Sequence, residues 1–117
     1  MREFVIMTDS DTEIPYTFAE AHNVPVFLMP YTLDGKESLF DLGKTTDYAG
    51  FYASLRAGAS ASTSTRSTYE IQCFFEDILK EGKDILYICF SSQLSSHYEL
   101  AEMARKAALE NYPEARI

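Results

Sequence analysis

Four serines and a histidine fall between positions 91 and 97, inside the stretch FSSQLSSHYELA. The serines are Ser91, Ser92, Ser95 and Ser96, and His97 follows them directly. Serine hydroxyls can cap a helix, hydrogen-bond an anion, or act as nucleophiles when a base activates them. A Ser–His nucleophile is poorly supported, because the sequence has neither a G-x-S-x-G elbow nor an obvious acid to orient the histidine.

Two more segments rich in hydroxyls are TDSDT at 8–12 and STSTRS at 62–67. TDSDT and SSQLSS (91–96) each follow a predicted strand, and STSTRS precedes a predicted helix. Ligands of open α/β sheets bind beyond the carboxyl ends of the strands, and helix N-termini favour anions. Capping boxes beginning at Ser67 and Ser96 explain those two hydroxyls. The hydroxyl residues that capping does not explain favour a small anionic ligand. They are Thr63, Ser64, Ser91, Ser92 and Ser95.

The elements that must position these hydroxyls alternate between strands and helices. Continuous apolar runs at 4–7, 24–29 and 84–90 predict buried strands. Helical spacing predicts helices over 15–21, 47–57, 67–82 and 96–111, and Asp34-Gly35 predicts a hairpin between 31–33 and 37–40. Residues 59–66 are predicted to be a loop, and 115–117 resemble the approach to a further strand. This order predicts an α/β fold with a three-layer parallel sheet flanked by helices and a small hairpin insertion.

Composition excludes several functions. The 117 residues suffice for one domain, and a net charge of −8 without a basic cluster argues against nucleic-acid binding. There is no apolar run of about 20 residues and no signal peptide, so we expect no transmembrane segment and a cytoplasmic protein. Cys73 and Cys89 are expected to be buried thiols, and the spacing of cysteine and histidine predicts no metal site. Glycine-rich phosphate motifs are also missing.

Three motifs in register resemble the N-terminal part of the DegV family. The family begins with a strand followed by T-D-S and then an acidic residue, Leu/Ile and Pro, as in TDS at 8–10 and EIP at 13–15. Its Thr-Ser-x-Pro-Ser/Thr segment is similar to TSTRS at 63–67. Its Ser-Ser-x-Leu-Ser-Gly-Thr-Tyr segment is similar to SSQLSSHY at 91–98. The resemblance covers nearly the whole chain.

The resemblance implies a non-catalytic protein that holds a long-chain fatty acid and presents it to a separate, ATP-dependent fatty acid kinase subunit. Ser/Thr hydroxyls would bind the lipid carboxylate. By position, Thr63 and Ser95 are the expected ligands, with Ser64 and Ser92 beside them. The resemblance implies no metal or cofactor. Residues 1–117 would be the N-terminal α/β domain of a longer, two-domain protein, stopping before the next strand.

The chain departs from the family pattern at three positions. Arg66 stands where Pro is usual, Ser96 replaces Gly, and His97 replaces Thr. Arg66 could pair with an anion, and His97 could either replace the lost hydroxyl or block the site. We expect these three residues and Ser10 to be neighbours of the site.

Two other functions compete with lipid binding. FVIMTDSDT also resembles the strand and Asp-x-Asp of haloacid-dehalogenase-like phosphatases, with Asp9 as nucleophile and Asp11 as acid/base beside Mg²⁺. That resemblance finds no convincing third or fourth motif in this chain. The remaining alternative is an interaction domain without a ligand, in which the serines only cap helices.

Overall fold

A computed structural model describes residues 2–89, 91, 93 and 95–117. Its six strands are β1 Phe4–Asp9, β2 Val26–Phe27, β3 Met29–Leu33, β4 Lys36–Phe40, β5 Ala61–Thr63 and β6 Asp84–Ile88. Its four α-helices are α1 Tyr16–Ala21, α2 Tyr48–Arg56, α3 Thr68–Leu79 and α4 His97–Asn111, and a short 3-10 turn covers Ser10–Thr12. Among the described residues, no helix is both long and apolar enough to cross a membrane.

The first sheet is parallel and has the strand order β2-β1-β6. Because parallel crossovers are right-handed, the connections through α1 and through α3 lie on opposite faces of this sheet. The predicted α/β class, with a parallel sheet flanked by helices, is confirmed. At the outer edge of β6, the Ile85 N–H donates to the Arg116 carbonyl at 2.9 Å, so the chain returns to the sheet where the sequence indicated.

The hydrophobic core lies between this sheet and the pair α3 and α4. Strand alternation turns Met7 and Ile85 toward the helices, whereas Ile6 and Leu86 point to the other face and are exposed. From α3, buried Ile71 contributes to this core together with Phe75, Ile78 and Leu79. From α4, the core receives Ala101, Ala104 and Ala108. These small side chains allow α4 to approach α3 closely.

The second sheet is antiparallel and has the order β4-β3-β5. Its predicted hairpin is confirmed: Asp34 and Gly35 have φ angles of 48° and 79°, as a type I′ turn requires. The single strand predicted at 24–29 is wrong. The run is divided between β2 in the parallel sheet and β3 in the antiparallel sheet, and apolar character cannot show where a chain changes sheets.

The predicted loop at 59–66 is also wrong in part, because β5 pairs with β3 from Leu33↔Ala61 to Tyr31↔Thr63. Small, exposed residues do not give the alternating apolar pattern that predicts a strand. Here the strand forms because backbone groups pair. The carboxylate of Asp34 assists by accepting the Ser60 N–H at 2.9 Å. The pairing places Thr63 at the end of a strand and fixes its position.

The two predicted capping boxes have different outcomes. At α3 the box is confirmed, because the Glu70 N–H donates to Ser67 Oγ at 3.2 Å and the Glu70 carboxylate accepts from the Ser67 N–H. At α4 the box is wrong: Ser96 has helical dihedral angles and, among the described residues, makes no capping bond. Instead, Ser95 Oγ accepts the His97 N–H at 3.1 Å.

The two cysteines differ from the prediction as well. Cys73 and Cys89 are partly exposed, whereas the sequence predicted buried thiols. Cys73 lies on α3, and Cys89 follows the last residue of β6. The prediction of burial relied on the apolar residues that flank each cysteine in the sequence, and these do not determine how exposed its side chain is.

Candidate functional site

A cavity of about 870 Å³ lies where the carboxyl end of β1 meets the antiparallel sheet and α2. Its polar lining comes from the segments that follow β1, end β5 and precede α4. These residues are Ser10, Asp11, Glu13, Thr63, Ser64, Thr65, Ser95 and Ser96, with Thr46 from the segment before α2. Three hydroxyl-rich segments that are far apart in the sequence therefore meet in one cavity.

Each key hydroxyl is held by the backbone around it. Thr63 is the last residue of β5 and pairs with Tyr31 of β3. Ser95 Oγ accepts the His97 N–H, and Ser10 Oγ accepts the Met29 N–H at 2.8 Å, linking the two sheets. A hydroxyl that accepts one hydrogen bond keeps its own proton for another acceptor. Ser95 can therefore donate to a ligand oxygen, whereas Ser10 is fully buried.

The opposite wall of the cavity is aromatic. Helix α2, whose residues are all described, has no fully buried side chain, and Tyr48, Phe51 and Tyr52 line the cavity instead. Phe51 packs edge-to-face on Tyr31 of β3, with ring centroids 5.7 Å apart. The sequence showed the helical spacing of these aromatic residues, but their place in a cavity wall was missed. The one sequence signal for this wall was that α2 carries no acidic residue.

The segment before α2 is fixed by Asp41. Its carboxylate accepts hydrogen bonds from the N–H and hydroxyl of Thr45 and from the hydroxyl of Thr46. Burial opposes ionisation, but the bonds from Thr45 and Thr46 outweigh it and lower the pKa of Asp41 to about 2. Asp47 then caps α2 by accepting the Gly50 N–H at 3.0 Å. These bonds orient the aromatic face of α2 toward the cavity.

The predicted site residues divide into three groups. Thr63, Ser64 and Ser95 line the cavity, as do the predicted neighbours Ser10 and Ser96. Ser92 lies outside the described residues. The other two predicted neighbours, Arg66 and His97, are not among the described residues that line the cavity. Ligand binding by any of these residues stays a prediction.

The Arg66 side chain makes three contacts within the protein. Its Nε donates to Glu70 at 2.7 Å, its NH1 donates to the Leu28 carbonyl at 3.1 Å, and its guanidinium lies 4.4 Å from the centre of the Phe27 ring. The bond from Arg66 also holds the pKa of Glu70 below its usual value. Releasing Arg66 to a ligand anion would break these contacts, so its structural role is the better supported one.

His97 is fully buried and belongs to a hydrogen-bonded cluster with Asp9 and Tyr87. His97 Nε2 lies 2.7 Å from Tyr87 Oη, and the Tyr87 hydroxyl donates to Asp9 Oδ2. Burial lowers the pKa of His97 and, together with Asp9, raises the pKa of Tyr87, so imidazole and phenol are both neutral. His97 therefore joins β1, β6 and α4, and its backbone N–H holds Ser95.

One group of side chains in the described part of the chain could hold a metal ion. Ligand atoms of Asp9, Cys89 and His97 lie within 4.8 Å of one another, and all three side-chain types bind zinc. The sequence prediction of no metal site rested on local spacing, whereas these residues come from three separate elements. A cation would have to displace the hydrogen bonds that Tyr87 already makes to Asp9 and His97.

Asp11 brings a carboxyl group into the cavity wall. Its own N–H donates to Asp9 Oδ1 at 2.9 Å, which keeps the segment close to the buried cluster. Burial, reinforced by the negative charge of Asp9, raises the pKa of Asp11 above its usual value. The polar end of the cavity thus combines hydroxyl donors with a carboxyl group whose pKa is raised.

Comparison with known proteins gives both a family match and a fold match. The family model described as "Uncharacterised protein, DegV family" matches residues 3–117. A DegV domain-containing protein of Clostridium perfringens is 33% identical over 117 residues, and one of Streptococcus pyogenes serotype M1 is 34% identical over 116 residues. These alignments cover 100% and 97% of this chain but 40% of each relative. The chain thus spans about 40% of the length of these curated relatives.

Two solved structures share the fold. A fat acid (stearic acid)-binding protein from Eubacterium ventriosum matches with a TM-score of 0.84 and 21% identity, over 97% of this chain and 39% of that one. The structure described as "Fatty Acid Binding of a DegV family Protein from Thermus thermophilus" matches with a TM-score of 0.80 and 22% identity, over 100% of this chain and 40% of that one. At these identities the likeness establishes the fold.

Proposed function

The chain belongs to the DegV family, and from this premise we propose that it binds the carboxyl end of a long-chain fatty acid. Thr63 and Ser95 are the proposed hydrogen-bond donors to the carboxyl group, with Ser64 and Ser92 as neighbours. The acyl chain would leave the hydroxyls along the aromatic wall formed by α2, β3 and β4. Relatives of the same fold are described as fatty-acid-binding proteins, which supports this proposal.

The observation that carries the proposal is the composition of the cavity. Hydroxyls from β5 and from the segment before α4 face the same space as Phe51 and Tyr52. A carboxyl group needs hydrogen-bond donors, and an acyl chain needs apolar surface, so one cavity with both suits an amphipathic acid. In the alternative of an interaction domain without a ligand, the hydroxyls would only cap helices. Thr63 ends a strand, so capping does not explain its place in the cavity wall.

We propose a binding role without catalysis. In the phosphatase alternative Asp9 would attack a phosphate ester, yet its side chain is 0% exposed and bonded to Tyr87 and the Asp11 N–H. A nucleophile must reach its substrate within about 3–3.5 Å, which this burial prevents. The position of Asp9 therefore favours a structural carboxylate.

The remaining parts of the proposal rest on the family resemblance. Residues 1–117 are proposed to be the N-terminal α/β domain of a two-domain protein, whose second domain completes the tunnel for the acyl chain. The bound acid is presented to a separate, ATP-dependent fatty acid kinase subunit. A cytoplasmic location belongs to the same proposal.

Organic extraction of the purified two-domain protein proposed above, followed by mass spectrometry, tests the proposal. We expect long-chain fatty acids in near-stoichiometric amount, and their removal should be reversed by adding palmitate. The variant Phe51→Ser should retain less lipid, because it places a polar group in the aromatic wall. The matched change Phe18→Ser, at an exposed position of α1, should leave the lipid content unchanged. A lipid-free two-domain protein that also fails to bind added palmitate would contradict the proposal.

A further inference from the structure

The face of the parallel sheet that is turned away from α3 and α4 carries a patch of exposed apolar side chains. Ile6 of β1 and Leu86 of β6 are paired in register, and Phe4 and Ile88 continue the patch along the same two strands. All four side chains are between 47% and 63% exposed, and we call this group the open face. Single exposed apolar residues are ordinary, whereas a contiguous group of them marks an interaction surface.

The helices that the structure describes leave the open face uncovered. Sheets made only of parallel strands normally have helices packed on both faces. Helices α3 and α4 bury one face, and the connection through α1 lies on the side of the open face. Helix α1 has six residues, about 9 Å of helix, against about 20 Å for the six residues of β1. Its one fully buried side chain is Ala19. Helix α1 is therefore too short to bury Leu86 and Ile88 on β6 as well.

We infer that the open face is the docking surface for a helix from the segment that follows Ile117 in the proposed two-domain protein. The inference rests on that part of the proposed function and adds the place where the segment packs. The matched region is 40% of the length of the curated relatives, which leaves ample chain for such a helix. An apolar stripe on the helix would bury the four side chains and complete the third layer of the α/β fold.

The path of the chain permits a later helix to reach the open face. The Ile85 N–H donates to the Arg116 carbonyl at 2.9 Å, so the chain lies along the free edge of β6 at this point. The connections through α3 and α4 run from β2 toward that edge, and the connection through α1 runs in the opposite direction. Because parallel connections are right-handed, one that returns from the edge toward β2 crosses the same face as α1. That face is the open face.

Hydroxyl-radical labelling of the purified two-domain protein, read by mass spectrometry, measures whether the open face is covered. After correction for intrinsic reactivity, we expect the labelling of Leu86 to fall to the level of its neighbour Ile85, which is buried. Tyr69 on α3 is 72% exposed and serves as the reference for an uncovered side chain. Labelling of Leu86 comparable to that of Tyr69 overturns the inference.

Photo-crosslinking identifies the occupant. The variant Phe4→p-benzoylphenylalanine places the crosslinker on the open face, and Tyr69→p-benzoylphenylalanine is the control at another exposed aromatic position. We expect the Phe4 variant to crosslink within one molecule to a peptide that follows Ile117, and the control to give no such crosslink. Crosslinks that join two copies, or the absence of any crosslink from the Phe4 variant, overturn the inference, because the occupant is then not this segment.

Thermal unfolding of the two-domain protein gives an independent readout. Leu86→Lys places an ammonium group beneath the helix, so the unfolding midpoint should fall by at least about 5 °C. Met103→Lys, at an exposed position of α4, should lower it by less than about 2 °C. Equal shifts overturn the inference, and if Leu86→Lys does not fold, the labelling of the wild type decides.

Failure of this inference is distinguishable from failure of the proposed function. None of the four residues of the open face lines the cavity, and none of the three readouts uses a lipid. An uncovered open face in a protein that binds palmitate overturns the inference and leaves fatty acid binding intact. The mass of the native protein tests the two-domain proposal separately.

Discussion

Tyr87→Phe is expected to lower the free energy of unfolding by about 3 kcal/mol, although it removes a single oxygen atom. The Tyr87 hydroxyl donates to Asp9 and contacts Nε2 of His97, and both partners are fully buried. Phenylalanine keeps the edge-to-face contact with Phe75, so packing changes little. What remains is a buried carboxylate and an imidazole nitrogen that have each lost a hydrogen-bond partner.

Urea denaturation of the wild type and of two variants measures this effect. The control is Tyr69→Phe on α3, where the side chain is 72% exposed and loss of the hydroxyl should change stability by less than about 0.5 kcal/mol. An effect of Tyr87→Phe as small as that of the control would show that the cluster of Asp9, Tyr87 and His97 does not hold the sheet and α4 together.

Replacing the two proposed carboxyl ligands should produce the largest loss of function. Thr63→Val and Ser95→Ala each remove one hydroxyl donor, and a hydrogen bond to a charged carboxylate contributes about 1.5–3 kcal/mol. We expect palmitate affinity to fall at least about tenfold for each change and about hundredfold for both together. The affinity for the alcohol of the same chain length should fall less, because it lacks the carbonyl acceptor.

The control for these variants is Ser62→Ala. Ser62 precedes Thr63 on β5, and strand alternation points its side chain to the opposite face, away from the cavity. The affinity of Ser62→Ala for palmitate should equal that of the wild type. Because Ser95 also accepts the His97 N–H, thermal unfolding of Ser95→Ala should be measured beside its binding. Equal affinity of all variants for palmitate would show that the carboxyl group binds elsewhere.

Local sequence signals predicted the elements that depend on local interactions. The capping box at Ser67 and the Asp34-Gly35 turn are fixed by residues within a few positions, so both were predicted correctly. The apolar runs located β1 and β6 for the same reason. The α/β class followed from the alternation of these elements, and three short motifs predicted the family.

Long-range pairing explains what the sequence did not show. Strand β5 exists because its backbone meets β3, and no side-chain pattern in 61–63 predicts this. Helix α4 starts with the Ser95 hydroxyl because Ser96 has helical dihedral angles, which the S-x-x-E pattern could not reveal. The sequence left two roles open for His97, as a head-group donor or a blocking residue. In the structure the imidazole bonds to Tyr87 and is not among the described residues that line the cavity, so its role toward a ligand stays a prediction.

A crystal structure of the proposed two-domain protein bound to palmitate tests the central claim most directly. We predict ligand carboxyl oxygens within about 2.5–3.2 Å of Thr63 Oγ1 and Ser95 Oγ. The first carbons of the acyl chain should lie against Phe51 and Tyr52. A carboxyl group that lies outside this cavity, or inside it with the acyl chain against the hydroxyls, would contradict the account.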